Sequence, residues 1–336
     1  MNKRERLINV FENKPVDYVP VLLFHHFCCQ KDWDQGLVNS AAFEKNIIEH
    51  KNAREVFEPD VIKIMNDTLM MMPVDLSFIK EAVDLQKIKP FSMNCRFVEK
   101  SVELTKRSLE CFEGSDAPIY TTAFSPSCTL RWFMRDREED LLRFIEEDPD
   151  SLAIALNSIA KSLTEFNRVL NEETGIEGFY YCVHNQNNFF EDSLFNTHVA
   201  PYDMEVLKRA NELSDINILH ICGYDGLSNN LKLFKDFEAA AFNWDVDAEG
   251  VSLTEGKKFF DGKAVIGGFK QDQVIYTGTR EEVEKATFDI LDECGQIGTI
   301  IGAGCTLPTD IEEIRLEWVR QASIKYSAKN RSKRSD

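Results

Sequence analysis

The sequence predicts an α/β fold, a single (β/α)8 barrel of the TIM type, and two observations support this prediction. Eight short apolar runs recur along the 336 residues, and segments with helical periodicity lie between them. Most of these runs are apolar on both faces, which is typical of parallel strands covered by helices rather than of an open antiparallel sheet. Strand alternating with helix eight times is the sequence form of a closed α/β barrel.

The predicted strands are rich in valine, isoleucine, phenylalanine or alanine, and each is followed by polar or glycine-containing sequence. In chain order they cover residues 19–27, 61–67, 118–125, 179–185, 216–222, 239–245, 263–269 and 298–305. An open doubly wound sheet is the alternative, but it requires a glycine-rich phosphate loop after its first strand. Here the first strand runs into His25-His26-Phe27-Cys28-Cys29-Gln30 and the next glycine is Gly36. The sequence therefore argues against a dinucleotide-binding fold.

Helical segments separate these strands and show recognisable end signals. Asp148-Pro149 divides one long segment into two helices, and we expect Asp150 or Ser151 to cap the second. Thr279 opens a capping box before another helix. The predicted helices include residues 41–56, 141–170, 201–213, 281–294 and 310–328.

The predicted domain organisation is one barrel over residues 1–328, followed by a disordered basic tail over 329–336. The stretch 71–114 is long for a single connection, so it predicts an insertion between strands 2 and 3. The formal net charge is −18, which disfavours nucleic acid and anionic membranes as partners, and also anionic substrates unless the site carries local cations. No run of ~18 apolar residues and no signal-type apolar core are present. We therefore expect a cytoplasmic protein with reduced cysteines.

In a barrel of this type, active-site residues lie at the C-terminal ends of the strands. The polar residues at these ends include His25, Asp67, His184, Asn185, His220, Cys222, Asp245 and Cys305. We expect His25, His184 and Asn185 to contact a cofactor, and Asp67 to handle a proton, although a capping or turn role for Asp67 remains open. Asp245 is either a fourth, displaceable metal ligand or the N-cap of the next helix.

The sharpest site prediction is a zinc ion held by His220, Cys222 and Cys305. Side chains alternate faces along a strand, so His220 and Cys222 point the same way, and both reach one ion. Cys305 ends the last strand between Gly302-Ala303-Gly304 and Thr306, where the glycines permit an unusual backbone that turns the thiol inwards. Three protein ligands and one open position are typical of catalytic zinc. The alternative is a core histidine beside buried cysteines.

The sequence also resembles the uroporphyrinogen decarboxylase superfamily, and within it the zinc-dependent corrinoid methyltransferases of the methylcobalamin:coenzyme M methyltransferase type. The resemblance runs along nearly the whole chain. It is carried by Lys-Arg-Glu-Arg at 3–6, Asp-Tyr-Val-Pro-Val at 17–21, Asn-Trp-Asp at 243–245, Val-Ile-Gly-Gly-Phe at 265–269 and Thr-Arg-Glu-Glu-Val at 279–283.

The resemblance implies which branch of the superfamily is present. The decarboxylases carry an arginine-rich segment after strand 1 that binds the substrate carboxylates, whereas residues 22–29 here contain no arginine. The methyltransferases bind zinc through His-x-Cys and a distant cysteine, which His220, Cys222 and Cys305 match. Asp67 matches the place of the decarboxylases' catalytic aspartate, and Asp245 lies near a carboxylate that leaves zinc in some methyltransferases.

The function implied by the resemblance is zinc-dependent methyl transfer between a corrinoid on a separate carrier protein and a small thiol or another methyl acceptor or donor. Zinc and a corrinoid are then the expected cofactors, and the corrinoid carrier protein and a small molecule are the expected partners. Two alternatives stay open. One is a metal-free decarboxylase that uses Asp67, and the other is a non-catalytic corrinoid- or zinc-binding module.

Overall fold

The protein, described here by a computed structural model that covers residues 1–335 with side chains through Arg331, is a (β/α)8 TIM barrel. All eight predicted strands are present and every pairing is parallel, in the order β1-β8-β7-β6-β5-β4-β3-β2. The strands are shorter than the apolar runs that predicted them. They are β1 (Val21–Leu22), β2 (Ile62–Ile64), β3 (Ile119–Phe124), β4 (Gly178–Val183), β5 (Ile218–Ile221), β6 (Ala241–Trp244), β7 (Ala264–Phe269) and β8 (Thr299–Ala303).

Two buried aspartates bridge β1 and β2. Within the described residues, these are the only neighbouring strands that are not joined by backbone hydrogen bonds. Asp60, just before β2, accepts a hydrogen bond from the backbone N–H of Val21 at 3.1 Å. Asp67, just after β2, accepts from the backbone N–H groups of Phe27 at 2.6 Å and Cys28 at 2.9 Å. Side-chain carboxylates thus replace strand hydrogen bonds at both ends of this seam.

The helices surround the barrel and follow the predicted segments closely. Asp148, rather than Asp150 or Ser151, caps the helix that follows it, because its side chain accepts from the Ser151 N–H at 3.1 Å. The capping box at Thr279 is confirmed. The helices are α1 (Lys3–Phe11), α2 (Ser40–Val56), α3 (Arg96–Glu110), α4 (Pro126–Met134), α5 (Glu138–Glu147), α6 (Pro149–Thr174), α7 (Asp192–Leu194), α8 (Ala200–Leu213), α9 (Val246–Glu249), α10 (Leu253–Phe259), α11 (Val274–Thr277), α12 (Arg280–Cys294) and α13 (Glu313–Ser335).

The connection from β2 to β3 is long, as predicted, and contains the 3-10 helix Ala82–Lys87 before α3. Gln86 in this segment donates to the Ser151 hydroxyl of α6 at 2.8 Å, so the insertion packs on the barrel's helical layer. At the other end of the chain, α13 runs through Ser335 into the stretch predicted as a tail. Asp336 lies outside the described residues, and the tail prediction stays a prediction. Among the described helices, none combines the length and apolar character needed to cross a membrane.

Large buried side chains fill the barrel interior below its mouth. Tyr120, Tyr180, Ile218, Ile266 and Ile300 pack there in one apolar cluster. The opposite faces of the same strands pack against the helices in a second, larger core. Because the interior is packed in this way, polar groups gather at the C-terminal ends of the strands, where TIM barrels carry their active sites.

Candidate active site

A cavity of about 320 Å³ opens at the C-terminal end of the barrel. Its walls are largely apolar and include Phe24, Met65, Phe124 and Trp132. The polar groups that project into it come from several strands and loops. They include His26, Lys63, Asp67, Arg131, Cys182, His184, His220, Cys222 and Cys305. A few polar groups that converge in an apolar concavity are the usual character of a small-molecule site.

His220 and Cys222 both face this cavity, as the strand alternation predicts. His220 lies within β5 and is buried, and Cys222 follows the strand directly. Leu219 and Ile221 point the other way, into the core between strands and helices. The two candidate ligands therefore project from one face of a single strand, at the rim of the barrel.

Cys305 reaches the same point from across the mouth, just beyond the end of β8. Its Sγ lies 3.6 Å from Nε2 of His220 and 3.7 Å from Sγ of Cys222. Around a tetrahedral zinc with Zn–S of about 2.3 Å and Zn–N of about 2.0 Å, two sulfurs lie roughly 3.8 Å apart and a sulfur and a nitrogen roughly 3.5 Å apart. The two distances from Cys305, and the imidazole and thiol chemistry of the three side chains, therefore fit zinc.

Close packing of the strand ends, rather than an unusual backbone, brings Cys305 inwards. Neither Gly302 nor Gly304 has a positive φ, so the sequence-based explanation for these glycines is wrong. A Cβ on Gly304 would lie 2.7 Å from Cα of Asp245, and one on Gly223 would lie 2.8 Å from its Cβ. The glycines are needed because the ends of β5 and β8 pack directly against the end of β6.

Asn243 of β6 decides which ring nitrogen of His220 is available for a metal. Its Nδ2 donates to the carbonyls of Ile266 at 2.9 Å and Ala303 at 3.0 Å, so its amide orientation is defined. Its Oδ1 must then be an acceptor, and it lies 2.5 Å from Nδ1 of His220 and 2.6 Å from the hydroxyl of Tyr180. The proton of His220 is therefore on Nδ1, and the lone pair of Nε2 points towards the thiols, as in histidines that bind metals.

Cys182 of β4 is a fourth member of this cluster that the sequence analysis missed. One ring nitrogen of His220 and the thiols of Cys182 and Cys222 all lie within 4.8 Å of one another. Cys182 is paired in register with His220 on the neighbouring strand. The signal available in the sequence was its position two residues before His184, which places it on the inward face of the predicted strand.

Hydrogen bonding among these thiols makes them unequal acids. Hydrogen-bonding contacts with Cys182 and Cys305 hold the pKa of Cys222 well below its usual value despite its burial. Hydrogen bonding to neighbouring cysteines, with burial, raises the pKa of Cys182 and Cys305. Cys222 is therefore the first thiol of the cluster to ionise, and ionised cysteine is the form that binds metals.

His184 lines the cavity, whereas Asn185 does not. Nδ1 of His184 lies 2.8 Å from Nη1 of Arg131, a residue of α4 that also lines the cavity. The side chain of Asn185 is fully buried and exchanges two hydrogen bonds, both of 2.9 Å, with the backbone of Phe190. These two bonds shape the loop after β4.

His26, not His25, is the histidine of the first loop that lines the cavity. His25 is buried against α13, with Nε2 3.4 Å from Oε1 of Glu313. The position predicted for His25 in the cavity is therefore taken by its neighbour. His25 itself forms an isolated parallel bridge with Leu307, beyond the end of β8.

Asp67 lies in the cavity wall with both carboxylate oxygens occupied. Nδ1 of His26 is 2.8 Å from Oδ1, and the N–H groups of Phe27 and Cys28 donate to Oδ2. Burial raises its pKa, but the hydrogen bonds and charge of His26 and the two backbone bonds outweigh burial, so the pKa is lowered. Asp67 is placed to hold the loop after β1 as an ionised carboxylate.

Asp245 follows β6 and caps the short helix α9. Its Oδ1 accepts hydrogen bonds of 3.0 Å from the N–H groups of Asp247 and Ala248. It borders an outer groove of about 1000 Å³ that Cys305 also borders, and it does not line the inner cavity. Of the two roles considered for Asp245, the capping role is present, while metal binding stays a prediction.

Lys63 supplies a positive charge inside the barrel that the sequence analysis did not single out. It belongs to β2, its Nζ lies 4.1 Å above the ring of Phe24, and it donates to Sδ of Met65 at 3.3 Å. Within the described residues, no carboxylate forms an ion pair with it. Burial lowers its pKa to about 8. Lys63, Arg131 and Arg135 all line the cavity, so the cavity contains positive charges although the chain as a whole is negatively charged.

Comparisons with known proteins are consistent with this architecture. A family model described as Uroporphyrinogen decarboxylase (URO-D) matches residues 70–326. Among curated proteins, none matches the chain by sequence. Among solved structures, the chain is similar to a methyltransferase from Methanosarcina mazei, with 14% identity, a TM-score of 0.69 and coverage of 97% of this chain and 99% of that one.

A second solved structure is a B12-independent methionine synthase from Shewanella sp. W3-18-1 in complex with selenomethionine. It shares 15% identity with this chain, with a TM-score of 0.56 and coverage of 94% of this chain and 96% of that one. At such identities, both similarities concern the fold.

Proposed function

The chain belongs to the uroporphyrinogen decarboxylase family, and on that premise we propose that it is a zinc-dependent methyltransferase that moves a methyl group between a corrinoid carrier protein and a small thiol. The observation that carries this proposal is the convergence of His220, Cys222 and Cys305 in the mouth cavity, where the Cys305 thiol lies at zinc-like distances from both other side chains. The fold shared with a methyltransferase and a B12-independent methionine synthase supports the methyl-transfer part of this proposal. Activity itself is argued from the site, because a fold does not determine chemistry.

His220, Cys222 and Cys305 would hold the zinc, each through the atom that faces the others. Bound zinc would supply Lewis acidity that lets an acceptor thiol bind as a thiolate at neutral pH. Asn243 keeps His220 in the tautomer with Nε2 free, and the packing of Gly304 on Asp245 keeps Cys305 in reach. These supporting contacts reduce the rearrangement that binding requires.

The rest of the cavity would bind and orient the acceptor. Phe24, Met65 and Trp132 exclude water from its walls, and Lys63 offers a positive charge for an acidic group on the acceptor. The volume of about 320 Å³ lies at the lower end of the range for small-molecule sites. A corrinoid is far larger than this, so it would meet the barrel mouth from outside on its own protein.

A metal-free decarboxylase is the competing function, and two observations weigh against it. Asp67, the candidate acid of that reaction, has both oxygens committed to the loop after β1. The same loop contains no arginine to bind a polycarboxylate, and the arginines of the cavity, Arg131 and Arg135, come from α4 and the turn after it.

The experiment is to measure zinc content and methyl transfer from methylcobalamin to 3-mercaptopropionate in the wild type and in His220→Ala, Cys222→Ala and Cys305→Ala. We expect about one zinc per chain in the wild type and its loss, together with activity, in each variant. Cys294→Ala, which removes a buried thiol of α12 outside the cavity, is the matched control and should keep both. A folded, metal-free wild type that decarboxylates a porphyrinogen would overturn the proposal.

A further inference from the structure

His26 and Asp67 form a histidine–carboxylate pair in the mouth of the barrel that the proposed function does not yet use. Nδ1 of His26 lies 2.8 Å from Oδ1 of Asp67. Burial raises the pKa of the Asp67 carboxyl group, but the hydrogen bonds to it and the charge of His26 lower that pKa by more, so the group is ionised. An ionised carboxylate only accepts hydrogen bonds. The shared proton therefore belongs to Nδ1 of His26.

The chain around this pair holds the imidazole in one orientation. Oδ2 of Asp67 accepts hydrogen bonds from the N–H groups of Phe27 and Cys28, which directly follow His26. The indole N–H of Trp33 donates to the carbonyl of Cys28 at 2.9 Å. The Trp33 ring packs against the imidazole, with 4.5 Å between the ring centroids. The histidine is thus fixed both by its hydrogen bond to the carboxylate and by its contact with the indole.

The second ring nitrogen of His26, Nε2, points away from Asp67 and has no hydrogen-bond partner among the described residues. The side chain is 15% exposed, and it borders both the inner cavity and the outer groove. Because the proton is on Nδ1, the neutral ring carries a lone pair on Nε2. A carboxylate bound to Nδ1 and a free Nε2 are the arrangement in which a histidine acts as a general base.

The loop that carries His26 lies beside the segment that carries Cys305. Strand β1 pairs with β8, and beyond both strands His25 still pairs with Leu307, whose N–H donates to the carbonyl of Phe24 at 3.0 Å. Neighbouring segments of this kind run about 4.8 Å apart. His26 directly follows one side of this bridge, and Cys305 lies two residues before the other. A thiol bound beside Cys305 would therefore be near Nε2, either directly or through one water molecule.

We propose that His26 is the general base that takes the proton of the acceptor thiol, and that Asp67 is the positioning residue that keeps His26 in the required tautomer. The proposal rests on the methyltransferase function proposed above. Bound zinc would make the thiol more acidic, but another group must still receive the proton. Nε2 of His26 borders the cavity in which the acceptor would bind and has a lone pair available for this proton.

The step balances, because one proton leaves in each turnover. The S–H bond of the acceptor breaks, its electron pair stays on sulfur, and the proton passes to Nε2. The sulfur then bonds to the methyl group while the methyl–cobalt bond breaks with its electron pair on cobalt, so no second proton moves. The imidazolium returns its proton to water through the outer groove. Lys63, Arg131 and Arg135 border the inner cavity too, but among the described residues Asp67 is the charged group that pairs with the ring.

Nitrogen NMR of the full-length, metal-free protein with 15N-labelled histidine tests the pair without any activity. At mildly alkaline pH, the His26 ring should carry its proton on Nδ1, and His26→Gln identifies its resonances. Asp67→Asn should move the proton to Nε2. The asparagine oxygen is needed by the N–H groups of Phe27 and Cys28, so its amide N–H would face Nδ1. A wild-type His26 with its proton on Nε2 would overturn the proposal.

Calorimetric titration of the zinc-loaded protein with 3-mercaptopropionate, in buffers of different ionisation heat, counts the protons released as the thiol binds. The wild type should release about one proton fewer than His26→Gln, because the imidazole keeps the proton of the thiol. His198→Gln, which changes a histidine that borders neither the inner cavity nor the outer groove, is the matched control and should behave as the wild type. A purely structural role of His26 would lower stability without changing the proton count.

Kinetics separate this proposal from the function on which it rests. In His26→Gln, kcat/KM for the thiol should fall roughly 100-fold. In His26→Ala, which also serves if the glutamine variant does not fold, added imidazole should restore part of the rate. Equal proton counts in the wild type and His26→Gln, or an unchanged kcat/KM, would overturn the role of His26 and leave the methyltransferase untouched. A folded wild type that binds zinc but no thiol would remove both.

Discussion

Oδ1 of Asn243 lies 2.5 Å from Nδ1 of His220. This contact orients the imidazole ring so that its other nitrogen, Nε2, faces the thiol of Cys305. The orientation of the Asn243 side chain is fixed, because its Nδ2 donates to two backbone carbonyls. The barrel strands themselves therefore set the tautomer of the candidate ligand.

We expect Asn243→Ala to weaken zinc binding by roughly 10–100-fold, because the ring of His220 loses the contact that orients it. Competition with a chromophoric chelator measures this. Asn217→Ala is the matched control, since Asn217 is equally buried but accepts from the Phe179 N–H at the opposite end of the barrel. An equal loss of affinity in both variants would mean that Asn243 acts only through stability.

We expect Lys63→Met to stabilise the fold at neutral pH. Burial lowers the pKa of Lys63 to about 8, so the folded chain binds its proton less tightly than the unfolded chain does. The resulting cost is full below about pH 8 and is relieved as pH rises towards the unfolded pKa of about 10.4. Urea unfolding at about pH 7 should show a gain of up to roughly 3 kcal/mol, and a loss of stability would contradict this account of Lys63.

The same variant should change the preference among acceptors. Lys63 is placed to pair with an acidic group in the cavity, and a hydrogen bond to a charged group contributes about 1.5–3 kcal/mol. Lys63→Met should therefore raise KM for 3-mercaptopropionate by roughly 10-fold or more and leave KM for uncharged 2-mercaptoethanol nearly unchanged. If both acceptors are affected equally, the residue acts through packing.

The barrel was predictable because each strand is marked by a short stretch of consecutive residues in the sequence. Each parallel strand is buried on both faces and bounded by polar residues, so all eight strands, and the inward direction of His220 and Cys222, are readable from residue order. The family resemblance predicted from short motifs is confirmed by the match over residues 70–326. Strand ends were less readable, because Leu23, Phe24 and Phe27 continue the apolar run after β1 has ended at Leu22.

The parts of the site that were missed depend on contacts between distant segments. Cys182 looks like any apolar residue within Phe-Tyr-Tyr-Cys-Val, and only the register of β4 with β5 places it beside His220. His26 turns towards the cavity because it contacts Asp67, which is 41 residues away. Neither the register nor that contact follows from composition or periodicity.

We expect Asp245→Asn to retain zinc stoichiometry and affinity. Asp245 uses Oδ1 to cap α9, and asparagine is an equally good N-cap. Asp245→Ala should lower the free energy of unfolding by about 1 kcal/mol for the lost cap, again with zinc retained. Chelator competition and urea unfolding measure the two effects. A large loss of zinc affinity in Asp245→Asn would instead support the carboxylate as a metal ligand.

Asp203 of α8 should make the stability of the protein depend on pH. It is fully buried and accepts hydrogen bonds from the Ser127 N–H at 3.0 Å and hydroxyl at 2.5 Å, which tie α8 to the start of α4. Burial above all, with the nearby Cys128, raises its pKa to about 7. Because the folded pKa lies above the unfolded value of about 3.9, the stability it contributes is full below about pH 4 and is lost as pH rises through about 7.

Asp203→Asn should remove this dependence, since asparagine accepts from the Ser127 N–H without ionising. The difference in free energy of unfolding between the variant and the wild type should then grow in favour of the variant from about pH 5 to about pH 8, by at most roughly 3 kcal/mol. Urea unfolding across that range measures it, with the exposed Asp236→Asn as control. Parallel curves for Asp203→Asn and the wild type would mean that Asp203 is ionised throughout the range and that Ser127 and its neighbours stabilise the buried charge.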